Sequence, residues 1–208
     1  QFVVVNRADY IRPNPFFVSF IGSDPRLRQY FNADQSELSA TRSSPTFSQP
    51  LVTAQENLLI WAESAERLGH DGEALIELNA SRAISAADCT AEVTSGDADS
   101  YESSGGPCVI PPLSGLTGTN LLVAILHEKY IVTFQNLEAM NDYKRTCYPN
   151  IAPTVAGKSI PARLYYDVGE RQTDTNIPDP NSQPIRNAND PKNTSDPTGA
   201  PCLGEQGT

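Results

Sequence analysis

The chain has 208 residues, 38% of them hydrophobic, with 17 prolines and a formal net charge of −10. That length holds one compact domain with an irregular appendage, and the modest apolar share beside so many prolines implies a real core plus a large loop fraction. The acidic balance repels phosphate backbones and anionic lipid, which argues against nucleic acid as a partner. No window of about 18 apolar residues is present to span a membrane, since even Leu121 to Leu126 is interrupted within a turn or two.

Residues 1–50 read as irregular. Phe2-Val3-Val4-Val5 suits a short strand, and Pro13, Pro15, Pro25, Pro45 and Pro50 forbid long helices. The chain opens on Gln1 rather than methionine, with no signal peptide in view, which points to a processed chain or a piece of a longer one. Residues 53–84 read as a helical hairpin. Its first helix runs from Thr53 to Leu68, with Leu58, Trp61, Ala62, Ala65 and Leu68 on one apolar face. That spacing places Trp61 in the core rather than against a sugar. Gly69 is a natural left-handed stop, and Asp71 is expected to cap the second helix, whose face carries Ala74, Leu75, Leu78 and Ile84. A loop this short makes the two helices antiparallel.

Residues 85–118 read as a polar loop, with Gly96, Gly105, Gly106, Pro107, Pro111 and Pro112. Thr119 is expected to cap a third helix reaching Leu137, its buried stripe being Leu121, Leu122, Ile125, Leu126, Tyr130, Phe134 and Leu137. A short helical turn over Met140 to Lys144 follows, and beyond Tyr148 no helical period survives. The predicted fold is therefore mainly α. A helical domain over residues 1–178 is followed by a Pro/Asn/Asp-rich tail over 179–208, either disordered or wrapped along a partner surface.

Four cysteines, Cys89, Cys108, Cys147 and Cys202, lie in what reads as loop sequence and form no Cys-x-x-Cys pair. Zinc spacing is absent, and three disulfide pairings are open. The favoured set is Cys89–Cys108, closing a Ser/Gly/Asp-rich segment, with Cys147–Cys202; the alternative is four buried thiols in a reducing compartment. Asp97, Asp99 and Glu102, or Asp174, Asn176 and Asp179, offer hard oxygen ligands for calcium. Neither run has an EF-hand's glycine and terminal glutamate, so solvated acidic loops are the default, and no metal or cofactor is expected. Asn79-Ala80-Ser81 and Asn193-Thr194-Ser195 match a glycosylation pattern, the first inside a predicted helix. A hydrolase built on His127 or Glu128 needs a second converging group, yet the sequence has no His-Glu-x-x-His, no Gly-x-Ser-x-Gly and only two histidines. No catalytic residue is expected. Glu63, Arg67, Arg82, Glu128 and Arg145 instead suit paired charges that lock helix packing. Tyr148, Tyr165 and Tyr166, outside helical periodicity, are the better candidates for exposed aromatics.

Four segments occur in an order that resembles the C-terminal part of SusD/RagB outer-membrane nutrient-binding proteins. They are Asp24-Pro25-Arg26-Leu27; the hairpin with Glu56-Asn57, Ala62-Glu63, Arg67-Leu68-Gly69, Ala74-Leu75, Leu78-Asn79 and Arg82-Ala83; His127-Glu128 through Glu138 to Asp142-Tyr143-Lys144-Arg145-Thr146; and Ile160-Pro161-Ala162-Arg163-Leu164-Tyr165-Tyr166 with Glu170-Arg171 and Asn176-Ile177-Pro178. The resemblance implies tetratricopeptide-like helix pairs and a non-enzymatic lipoprotein that captures glycans or peptides at the cell surface with a TonB-dependent transporter. Members of that family are more than twice this length, and Glu138-Ala139 stands where they have Glu-Gly. The resemblance thus carries fold and class but no ligand-binding residue. It implies an exported protein, peripheral to the outer membrane or in the periplasm. A rival expectation is an accessory subunit that docks on another membrane-associated complex.

Overall fold

A computed structural model describes residues 13–94, 106–149, 151 and 166–177. The fold is mainly α. Among the described residues the helices are α1 (Pro15–Ile21), α2 (Leu27–Tyr30), α3 (Ala40–Ser43), α4 (Ala54–Arg67), α5 (Asp71–Thr94), α6 (Gly118–Val132), α7 (Glu138–Thr146) and α8 (Val168–Thr173). The nearest thing to a sheet there is an isolated antiparallel bridge between Phe31 and Leu38. The chain divides into two compact units, Gln1–Ala139 and Met140–Gln206.

The hairpin forms where periodicity places it. Thr53 begins α4, its hydroxyl accepting from the Glu56 amide at 3.1 Å, which satisfies one of the orphan donors of a helix start. At the other end the His70 amide reaches back to the Ala65 carbonyl at 2.9 Å and the Gly69 amide to Glu66 at 2.8 Å. This six-to-one and five-to-two pattern needs a left-handed residue at its apex, and Gly69 supplies it with φ +80°. The expected role of Asp71 is corrected. The His70 carbonyl takes the first backbone bond of α5, from Ala74 at 3.0 Å. The Asp71 carboxylate instead accepts from the Gly118 amide at 3.0 Å. It therefore caps α6 across space, where Thr117 rather than Thr119 is the N-cap and gives no side-chain bond.

The second helix is ten residues longer than its apolar pattern suggested, running to Thr94 instead of Ile84. Its buried positions continue through Ser85, Cys89 and Val93 at four-residue spacing. A serine and a cysteine carry the stripe there, so hydrophobicity alone loses the period. Cys89 accordingly lies on a helix face and not in a loop. It is bonded to Cys108 across a Cα–Cα distance of 5.8 Å. From there residues 106–117 run back along α5. The Cys108 amide donates to Thr90 Oγ1 at 2.9 Å, and the Asn79 side chain exchanges bonds of 2.9 and 2.8 Å with the backbone of Leu113.

The core of the first unit has two parts. One joins Leu59, Ala62 and Ala65 of α4, Ala74 and Leu78 of α5, and Leu121 and Ile125 of α6. Alanine at three of these positions lets the helix axes approach closely. The other part is aromatic and comes from the segment read as irregular: Phe17, Ile21, Tyr30 and Phe31 close on Ile131, with Tyr130 and Phe134 packed against them. Phe134 stacks on Tyr30 at 4.6 Å and on Phe17 at 4.9 Å between ring centroids, an offset-stacking range that favours aromatic pairs. The prolines do keep these N-terminal helices short, and Pro15 sits at the first turn of α1, where its missing N–H is harmless.

Three further expectations are corrected. Trp61 is 50% exposed, Leu68 73% and Leu137 83%. The face of α4 that enters the core is instead set by Glu56, Leu59, Ala62, Glu63 and Ala65, rotated because two glutamates occupy buried positions. The third helix ends at Val132 rather than Leu137, in a turn where Gln135 has φ +64°. The last helical turn is longer than Met140 to Lys144, spanning Glu138–Thr146 as α7. In the second unit Tyr143 and Cys147 are buried against Met140 and Ile151, and Cys147 is disulfide-bonded. Its expected partner, Cys202, and the tail 179–208 lie outside the described residues, as does the strand expected at Phe2 to Val5.

Leu78 is fully buried between three helices. Leu78→Ala is expected to cost about 2–5 kcal/mol in denaturant unfolding. Replacing Cys89 and Cys108 by serine opens a 19-residue separation, with an expected loss of about 3 kcal/mol; an unchanged unfolding midpoint would contradict the pinning role assigned to that bond.

Candidate functional site: a buried charge network, a polar cleft and an exposed hairpin face

Charged residues named from separate stretches of sequence meet in the interior. Asp24, in the turn before α2, accepts from the Arg26 amide and Nε, both at 2.9 Å, and from Nη2 at 2.7 Å. The same guanidinium grips both oxygens of Glu128 on α6, with Nη2 to Oε2 at 3.1 Å. Arg82 on α5 reaches Glu128 Oε2 at 2.8 Å and also donates to the Pro111 carbonyl at 3.0 Å. Arg26 is 1% exposed and Glu128 fully buried. One residue further along α6, Lys129 donates to Glu63 on α4 at 3.0 Å, and Arg67 meets the other Glu63 oxygen at 3.0 Å. Neighbouring positions of opposite charge thus tie α6 to α2 and α5 through Glu128 and to α4 through Lys129. Arg145 pairs locally with Asp142 at 2.7 Å.

Burial opposes ionisation of Asp24, but the hydrogen bonds and charge of Arg26 outweigh it, and the carboxyl is held below its usual value. Arg26 is likewise penalised by burial and then driven further up by Asp24 and Glu128, so it stays charged. His127 faces the aromatic cluster, stacked on Phe20 at 4.4 Å between centroids. Burial pushes its imidazole below the ordinary value, and nothing there resembles the paired geometry of a general base.

A polar cleft of about 330 Å³ opens beside this network. Glu92 on α5 accepts from Gln29 at 2.6 Å and from Arg42 at 3.2 and 3.3 Å. Arg42 is sandwiched between the rings of Tyr30 and Phe47, 5.0 and 4.9 Å from their centroids. Gln55 donates to Asp88 on the same wall. The sequence reading missed Gln29, Arg42, Asp88 and Glu92 because the stretch of α5 that presents the last two reads as loop. A second, apolar cavity of about 440 Å³ lies among Phe17, Phe31, Tyr130 and Phe134.

The hairpin's outward side carries Ile60, Trp61 and Leu68 from α4 and Ile76 from α5, all at least half exposed. The Trp61 indole N–H donates to Glu73 Oε1 at 2.8 Å, linking the two helices across this face.

Of the remaining expected residues, Tyr148 is half-buried and Tyr166 47% exposed. Tyr165, Asp97, Asp99, Glu102, Asp179 and Asn193 lie outside the described residues. Asp174 spends Oδ1 on Asn176, at 2.9 and 3.0 Å, and no group of His, Cys, Asp and Glu among the described residues is placed to hold a metal ion. Comparison with protein-family models, curated proteins and solved structures returned no match.

Glu128→Gln or Arg26→Ala leaves an uncompensated buried charge, and each is expected to lower stability by about 3–5 kcal/mol; a loss under 1 kcal/mol in urea unfolding would rule out the network as a packing lock. The pH dependence follows from two lowered values. A group whose folded value lies below its unfolded one stabilises above the unfolded value and loses that contribution as pH falls through the folded one. Melting temperature is therefore expected to fall first below about 6.5, through His127, and again below about 3.9, through Asp24. His127→Phe should abolish only the first step.

Proposed function

We propose that this chain is an exported, non-enzymatic docking and binding module, kin to the SusD/RagB nutrient-capture proteins that work with a TonB-dependent transporter. The observation that carries it is the outward hairpin face. Large apolar side chains cluster there on a chain that is otherwise acidic and polar, and such patches on soluble surfaces mark contact sites. The resemblance is supported by convergence: Asp24 and Arg26, Arg82, and Glu128 come from three of its four segments and meet in one buried cluster. Their charges are occupied in packing, which accounts for the motifs without any catalytic role. The Cys89–Cys108 bond accords with an oxidising compartment. No helix among the described residues is long and apolar enough to cross a membrane, in keeping with peripheral attachment.

A second reading, capture of a small glycan or peptide, is favoured by the cleft. Its volume falls within the range of small-molecule sites, and its walls present amide, carboxylate and guanidinium groups beside two aromatic rings.

The two separate experimentally. The tagged chain, crosslinked in a native envelope extract, is expected to retain one membrane protein at fixed stoichiometry, and to lose it in Ile60→Glu with Ile76→Glu. Recovery unaffected by those changes would refute docking through the hairpin. Calorimetric titration with oligosaccharide and peptide mixtures, repeated on Asp88→Ala, tests the cleft; heat that persists unaltered in that variant removes the capture reading.

A further inference from the structure

We propose that the outward face of the α4–α5 hairpin receives a cationic amphipathic helix from another protein. This rests on the docking reading above and assigns the chemistry of the partner. On α4, positions 60, 61, 64 and 68 recur at three- and four-residue spacing and so share one side of the helix. They hold Ile60, Trp61, Ser64 and Leu68 and lie turned away from the core that Leu59, Ala62 and Ala65 enter. On α5, Ile76 is 67% exposed and stands one turn from Glu73, which is bonded to Trp61. Two antiparallel helices present between them a shallow groove into which the ridge of a third helix packs. Recognition in this mode uses apolar anchors on one face of the incoming helix.

Charge selects the occupant. Between Ala54 and Thr94 the sequence has eight carboxylates against two arginines. Both arginines are turned aside: Arg67 is bonded to Glu63, and Arg82 to Glu128 and the Pro111 carbonyl. What flanks the apolar stripe is Glu73 and Glu77, with His70 as the local cationic group, 3.6 Å from Glu73. A second copy of this chain would bring the same negative face against itself, and anionic lipid would be repelled in the same way. A helix with an apolar stripe bordered by lysine or arginine satisfies both the anchors and the rim.

Trp61 is the sole tryptophan of the chain, so its emission reports this face alone. The probe is a synthetic amphipathic peptide of leucine and lysine, about 18 residues long to match the hairpin at 1.5 Å per residue. Controls are its glutamate-for-lysine twin and a scrambled lysine peptide. The expected result is a saturable blue shift with the lysine peptide only. Affinity should weaken about tenfold or more in Ile76→Glu, the usual scale for removing a central anchor. Preference should reverse toward the glutamate twin in Glu73→Lys with Glu77→Lys. These side chains are at the surface, and circular dichroism verifies that each variant remains helical. Equal response to both peptides, or none, overturns the assignment. So does concentration-dependent self-association abolished by Ile76→Glu, which gives the face to a second copy, and so does a blue shift on vesicles of anionic phospholipid. Failure here with a partner still recovered from envelope extract sinks only the surface chemistry; loss of that partner sinks the docking reading itself.

Discussion

The carboxylate of Glu128 sits where no water reaches it, and the position of three chain segments follows from how it is neutralised. Arg26 approaches from the N-terminal segment and Arg82 from α5, so the aromatic N-terminal core cannot shift along α6 without breaking a guanidinium contact. A buried ion pair is seldom worth more than the apolar side chains that would replace it. What it adds is direction. Hydrophobic packing tolerates sliding, whereas a guanidinium bound to both oxygens of a carboxylate holds one geometry. Lys129, one position along, performs the mirror task toward α4 with the opposite charge. The three long helices are thereby keyed to one another by charge as well as filled by alanine and leucine.

This arrangement bears on function through what it withholds. The glutamates and arginines that stand out in the sequence are the ones the interior consumes. The groups left facing outward are a cleft of mixed hydrogen-bonding character and an apolar hairpin face bordered by carboxylates. Binding through surface complementarity is the activity such a distribution supports, and the mainly helical body acts as the rigid frame that presents it.

Much of the fold was legible where a single physical signal dominated. The three- and four-residue recurrence of Leu58, Ala62 and Ala65, with Thr53 before and Gly69 after, located α4 to within a residue at each end. The paired cysteines of α5 and the following segment were also readable from their spacing. Legibility failed where two signals competed. Glu56 and Glu63 look like solvent residues, yet they are buried on the face that enters the core, and so Trp61 was misplaced to the inside. Ser85 and Cys89 continue a buried stripe without hydrophobicity, and so the last ten residues of α5, with Asp88 and Glu92 of the cleft, read as loop. The N-terminal aromatics could not be placed at all, because Phe17, Tyr30 and Phe31 find their neighbour Phe134 only through tertiary contact.

The connection from α5 to α6 is fastened to α5 at several heights: by Cys108 to Cys89, by Leu113 to Asn79, and by Gly118 to Asp71. It descends the helix it has just left, stitched from top to bottom. The register of α6 is consequently dictated by residues 106–118 and not by the length of chain between the two cysteines. That interval is a place where the polypeptide can gain or lose residues, or host an inserted epitope, with the helical frame and its outward face held in position.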